Sequence, residues 1–161
     1  YRATAGTLVI RDDAGHPTAS VFYVAYTAGR AVDPARPVTF LFNGGPGYAS
    51  AWLNLGAMGP WRLRMDAEAS FPSAPPTLAD NRETWLDFTD LVFIDPPSTG
   101  YSRILGGEDV RKRFFSVDGD IDVLAATIRR WSRMMRSRRA AFSRAGTSSS
   151  SAYARVSSSC E

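Results

Sequence analysis

Asn43-Gly44-Gly45-Pro46-Gly47 sets three glycines within four positions, directly after the apolar run Val38-Thr39-Phe40-Leu41-Phe42. Glycine lets a backbone approach a ligand closely and present consecutive N–H groups, so a loop of this kind can hold an anion. A second turn, Asp95-Pro96-Pro97-Ser98-Thr99-Gly100, ends a second apolar run, Leu91-Val92-Phe93-Ile94. In open α/β sheets ligands gather at the carboxyl ends of strands, so two such turns on separate strands point to one crevice. Taken singly, a Gly-Pro-Gly is equally a tight strand-to-helix turn and Asn43 equally a turn-forming residue, and both readings stand at this point.

The remaining chemistry-bearing residues are sparse. His16 is the only histidine, which excludes a three-histidine zinc site and leaves any Ser-His-Asp triad only His16 as base. It lies in the turn-rich connector Asp12–Pro17, where a solvated turn histidine is the expected role. Asp95 has no histidine or second carboxylate close in sequence and reads as a turn cap. Asp118, Asp120 and Asp122 have the alternation of a calcium loop but lack its closing glutamate, so they read as helix-capping acids. Cys160, the single cysteine, has no partner for an internal disulfide. No metal or cofactor is expected.

The elements that must position these turns follow from periodicity. Residues 6–11 and 19–27 are rich in β-branched and aromatic side chains and read as an antiparallel hairpin. The run 38–42 is apolar on both faces, as an interior strand is, and residues 48–58 suit a short helix that Gly59-Pro60 ends. Asp66 to Asn81, with its prolines, reads as an ordered surface loop. Leu91–Ile94 is a second interior strand. Val117, Ile121, Leu124, Ile128 and Trp131 share one helical face, with Ser116 or Asp118 as cap and Arg129 and Arg130 at the C-terminal end of the macrodipole. The order predicts an α/β domain: an antiparallel hairpin leading into a partly parallel sheet with flanking helices.

The chain has 161 residues, is 44% hydrophobic and 22% charged, and suits one ordinary domain or part of one. It contains no run of about 18 apolar residues, so no membrane span is expected. The net charge of +3 hides an asymmetry: residues 111–161 carry 11 basic and 4 acidic groups, and the first 110 carry 8 and 12. Residues 132–161 hold ten serines and six arginines and offer no third interior strand, although a sheet of this kind needs its next strand there. We therefore expect residues 1–131 to be the N-terminal part of a domain and 132–161 an irregular Ser/Arg-rich tail, a frame-shifted or prematurely ended continuation. An interior strand at 91–94 is then expected to leave an exposed sheet edge. Arginine mixed with serine and without interleaved aromatics argues against a nucleic-acid partner.

The segments VTFLFNGGPGYASAWLNLGAMGP, NRETWLDFTDLVFIDPPSTGYSR and FFSVDGDIDVLAATIRRW, in that order, resemble the serine carboxypeptidase family, particularly its bacterial members, over residues 3–131. The resemblance implies an α/β-hydrolase fold, incomplete here, and release of C-terminal residues from peptides, with the free C-terminus of a peptide or protein as substrate. It implies that the Gly45 backbone N–H donates to the oxyanion, that Asn43 binds the substrate's terminal carboxylate with Gly44 beside it, and that the protein is secreted or periplasmic. An oxyanion donor must be rigid and in place before charge develops, and a glycine loop anchored by a strand meets that need.

The sequence also departs from the family. Ala57 replaces a carboxylate-recognising glutamate, Leu41 an aromatic, and Ser98 a glycine. The family's G-x-S-x-G nucleophile elbow is absent: Gly146-Thr147-Ser148-Ser149-Ser150 lacks both the closing glycine and a preceding strand, so Ser148 is not read as a nucleophile. The expectation is an inactive chain that keeps the oxyanion loop without the triad. A non-catalytic peptide-binding module, an acyltransferase of the same fold and a nucleic-acid binder using the basic tail are the rival readings. Oligomeric state and side-chain preference are not legible.

Overall fold

The computed structural model describes residues 1–29, 33, 35–44, 47–65 and 75–146, with side chains described as far as residue 137. Its centre is a mixed sheet. Strands β1 (Arg2–Arg11) and β2 (Pro17–Thr27) form the expected hairpin, longer than its most apolar stretches, with Leu8 opposite Val21 and Ile10 opposite Ala19. Strand β3 (Val38–Leu41) leads to the short helix α1 (Ala51–Leu53), which widens into a π-type turn at Asn54–Met58. Strands β4 (Trp61–Leu63) and β5 (Leu78–Asp80) make a separate antiparallel ribbon. Strand β6 (Asp90–Ile94) is followed by β7 (Arg103–Ile104), then helices α2 (Glu108–Phe114) and α3 (Val117–Gly146).

The sheet order is β1-β2-β6-β3, with β7 on the end of β2. β6 runs antiparallel to β2 and parallel to β3, so the expected α/β sheet with a partly parallel core is present. All five residues of β6 are buried because the strand has a neighbour on each side and cover on both faces. Alternation divides the side chains between two cores, as a two-residue period requires. Val21, Tyr23, Val92 and Ile94 meet Val123, Leu124 and Trp131 of α3 on one face. Tyr26, Leu41, Leu91 and Phe93 meet Leu86 and, through Leu53 and Met58, the helical segment after β3 on the other.

Four expectations need correction. β3 is not interior among the described residues: it is an edge strand, at the opposite end of the sheet from β1, and its first three residues are only half-buried. Among the described residues the open edge nearest the 91–94 run therefore lies on β3, one strand beyond it. Residues 78–80, placed in a surface loop by their prolines, instead pair with 61–63, while 66–74 lie outside the described residues. The buried stripe of α3 is Val123, Leu124, Thr127 and Trp131, whereas Val117 and Ile121 are exposed. Thr127 can be buried because its hydroxyl donates to the Val123 carbonyl at 2.7 Å, an option that apolar spacing does not register. Finally, α3 passes Trp131 without interruption to Gly146, so 132–146 is helical and not irregular. No Gly or Pro falls between Gly119 and Gly146, and Ala, Met and Arg are good helix formers. Residues 147–161, Ser148 and Cys160 among them, lie outside the described residues.

Below the sheet, Asp90 fixes the start of β6. Its carboxylate accepts from Arg36 Nε at 2.9 Å and from the Ala28 N–H at 3.0 Å, while the Arg36 guanidinium also donates to the Leu86 carbonyl. At the helix side, Ser116 Oγ accepts from the Gly119 N–H at 3.1 Å, the expected cap of α3. Burial raises the Asp120 carboxyl above its ordinary value in that first turn.

Trp131 is 3% exposed and meets Phe40 edge-on with ring centres 5.4 Å apart. Its indole N–H finds no acceptor among the described residues, so packing alone holds it. Trp131→Ala is expected to lower stability by about 3 kcal/mol or more and Trp131→Phe by much less, read from urea midpoints. Amide hydrogen exchange checks the sheet order: slow exchange at Leu91–Ile94 with fast exchange at alternate amides of Val38–Leu41 is the expected pattern, and equal protection of the two strands contradicts it.

Candidate functional site

Because β3 and β6 are parallel neighbours, with Leu41 opposite Phe93, the chain leaves both strands at the same rim of the sheet. Phe42-Asn43-Gly44 follow one strand and Asp95-Pro96-Pro97 the other. Gly45 and Pro46 lie outside the described residues, and the loop is built from its flanks. The Asn43 side-chain amide donates to the Ala49 carbonyl at 2.7 Å, closing the loop across its base. Between these residues Gly44 and Gly47 are exposed, and a methyl group added at either would meet nothing within 4 Å. Gly47 has φ +114°, which a side chain would strain, so at Gly44 and Gly47 the loop presents bare backbone to open space.

The second turn is joined to the first by Asp95, which is 7% exposed. One carboxylate oxygen accepts from the Ser50 N–H at 2.8 Å and the other from the Tyr101 N–H at 3.2 Å. Ser50 donates its hydroxyl back to the Ile94 carbonyl, so the two strand ends are stitched in both directions. The main chain of residue 95 is held as well: its N–H donates to the Phe22 carbonyl at 3.0 Å, and its carbonyl accepts from Ser102 Oγ at 2.7 Å. Ser102 Oγ in turn accepts from the Phe22 N–H at 2.8 Å. Gly100 marks the closest approach of the two turns, since a Cβ there would stand 2.0 Å from Asp95 Oδ2 and 3.2 Å from the Ala49 side chain.

A third support comes from Asn81, 5% exposed, whose amide donates to the carbonyls of Ala57 at 2.7 Å and Gly59 at 2.8 Å. It holds the segment that follows α1 against the start of the second motif. Tyr26 packs edge-on against Phe93 beneath this segment, and burial pushes its phenol up while the Asn54 side chain opposes the rise.

Of the residues singled out from sequence, Asn43 and Gly44 are on this rim, and Asp95 caps turns as expected while also bridging them. His16 is exposed and its ring sits 3.4 Å from Asp12, whose carboxyl is held below its ordinary value chiefly by the His16 backbone N–H. That is a turn role, far in sequence from the rim. Ser50, Ser102 and Asn81 were not legible as positioning groups: each is a lone polar residue in a loop, and only burial reveals it. At this rim the Asp95 carboxylate is already occupied by two N–H donors. Among the described residues no group of three or more metal-ligating side chains occurs.

A mixed α/β sheet with a glycine loop and a proline-bracketed turn latched together at one rim defines an α/β protein with a strand-end site. The family model described as serine carboxypeptidase matches residues 5–113, and the chain belongs to the serine carboxypeptidase family. It is 36% identical over 86 residues to the pheromone-processing carboxypeptidase KEX1 of Coprinopsis cinerea, covering 53% of this chain and 13% of that protein. It is 32% identical over 103 residues to the protein of the same name from Tuber melanosporum, covering 60% and 15%. The match thus spans about a seventh of the length of these relatives.

Ser98, exposed, has φ +66° and is the only described non-glycine residue with positive φ. A left-handed non-glycine residue costs roughly 1–2 kcal/mol, so Ser98→Gly is expected to raise the melting temperature slightly. Gly100→Ala is expected to lower it by several degrees, because a methyl group there displaces the Asp95 carboxylate. A thermal denaturation series on the two variants checks both signs.

Proposed function

We propose that this chain supplies the hydrogen-bond-donating side of a serine carboxypeptidase active site, on an α/β-hydrolase fold of which it holds the N-terminal part. The observation that supports this most directly is the latch from Asp95 to Ser50 and Tyr101, which holds two strand-end turns of adjacent parallel strands in one fixed relation. In acyl transfer a donor must stand where the carbonyl oxygen becomes negative, and such a donor contributes about 3–4 kcal/mol only if it is preorganised. The reading gives that role to the Gly45 N–H. Asn43 takes the terminal carboxylate: one of its two amide protons closes the loop onto Ala49, and the other remains for a ligand. Gly44 leaves room for the peptide beside it.

The same reading puts the missing parts elsewhere. Among the described residues the outer edge of β3 is unpaired, and a further parallel strand added there would bring its own carboxyl end to the same rim. A nucleophile elbow belongs on such a strand, and residues 1–161 contain no G-x-S-x-G. Residues 1–131 are the catalytic-domain portion on this proposal, and a secreted or periplasmic location comes with the family assignment. Among the described residues no helix is long and apolar enough to cross a membrane.

Residual catalysis without a nucleophile is weak, so the 161-residue chain is expected neither to release C-terminal residues nor to react with a fluorophosphonate probe. Stoichiometric labelling of one serine overturns the inactive reading. Binding of a peptide through its free C-terminus, lost on amidation and on Asn43→Ala, supports the donor rim; equal affinity for the amidated peptide removes it.

A further inference from the structure

We propose that Arg11, Arg129, Arg130 and Arg133 form a binding groove for a compact phosphate-bearing anion. The four side chains line a cavity of about 200 Å³ between β1 and α3, with Ile10 and Ala126 in its floor, and no carboxylate shares that lining. The cavity opens onto a neighbouring groove of about 560 Å³, where Arg11 and Arg129 also border Asp12, Asp13 and Asp122; Arg113 there pairs with Asp122 at 3.2 Å, while Arg130 and Arg133 line only the smaller cavity. The ion pairs of the described residues leave Arg129, Arg130 and Arg133 without an acidic partner, and all three are exposed. Arg11 donates to the Gly15 carbonyl at 2.8 Å and has further N–H groups to offer.

Two features separate this cluster from an ordinary solvated face. The macrodipole does not account for it, because α3 runs on to Gly146 and these arginines stand in mid-helix. From Val123 to Gly146 the sequence has no acidic residue, so Arg129 and Arg133, one turn apart, repel with no carboxylate at helical neighbour spacing to offset them. Bringing Arg11 of β1 to the same cavity adds to the repulsion, and a multiply charged anion relieves it. Guanidinium forks match phosphate oxygens two at a time, and a cavity below the roughly 300 Å³ of drug-sized sites suits a small ligand. A concave groove bounded by a strand, without exposed aromatics in its lining, favours a free oligophosphate over a nucleic-acid strand.

Titration calorimetry of the full chain with inorganic pyrophosphate, at fixed ionic strength, tests the proposal. One saturable site per chain is expected, weakened at least about tenfold in Arg129→Gln/Arg133→Gln, partly retained in Arg129→Lys/Arg133→Lys and unchanged in Arg62→Gln. Arg62 is paired with Glu83 on the separate ribbon and reports nonspecific charge effects. Circular dichroism confirms that the variants keep their helix, and the lysine pair serves if the glutamine pair does not. Heat without saturation, or an equal loss in Arg62→Gln, overturns the site. So does a short single-stranded oligonucleotide that binds through the same arginines and is not displaced by pyrophosphate.

Discussion

A buried carboxylate that accepts one N–H from each of two loops is the constraint on which this molecule's candidate site depends. Asp95 does this with Ser50 and Tyr101 at the end of the most buried strand in the sheet. Hydrogen bonds to a charged acceptor are about twice as strong as neutral ones, and removing the acceptor would leave the buried Ser50 N–H unpaired and release the Tyr101 N–H. The loops on either side therefore have correlated positions. The parallel register of β3 and β6 brings them to one rim, and the carboxylate then sets the distance between them.

The packing below serves the same end. β6 is covered by α3 on one face and by the segment around Leu86 on the other, so the point from which Asp95 projects is rigid. At the opposite end of the strand, Asp90 and Arg36 tie the incoming chain to the Leu86 turn. An ion pair this buried contributes little net stability but penalises any arrangement that separates its partners, and here it fixes where β6 begins. Rigidity at both ends of one five-residue strand is what a preorganised donor requires.

Much of this was legible in the residues. The apolar runs ending in NGGPG and DPPSTG announced two strand ends, and the family likeness rested on the same segments. The hairpin, the parallel pair and the cap at Ser116 follow from alternation, length and capping chemistry. What could not be read was contact made by single polar side chains across long sequence separations. Ser50 to residue 94 spans 44 positions and Phe22 to Ser102 spans 80, and neither leaves a periodic trace. The stripe of α3 was misplaced for a related reason: a threonine bonded to its own helix buries as readily as a valine. The helix beyond Trp131 was missed because serine-rich composition outweighed the absence of any breaker.

An open strand edge makes pairing depend on concentration, and among the described residues one side of β3 is open. Its unpaired backbone groups form a ladder only four residues long, directly preceded by Pro37. A ladder that short holds a passing extended segment weakly, so self-association through it is a second-order process that dilution suppresses. A segment tethered to the same polypeptide meets the ladder at a far higher effective concentration than a free one does. Covalent linkage, more than sequence complementarity, then decides which strand completes the sheet.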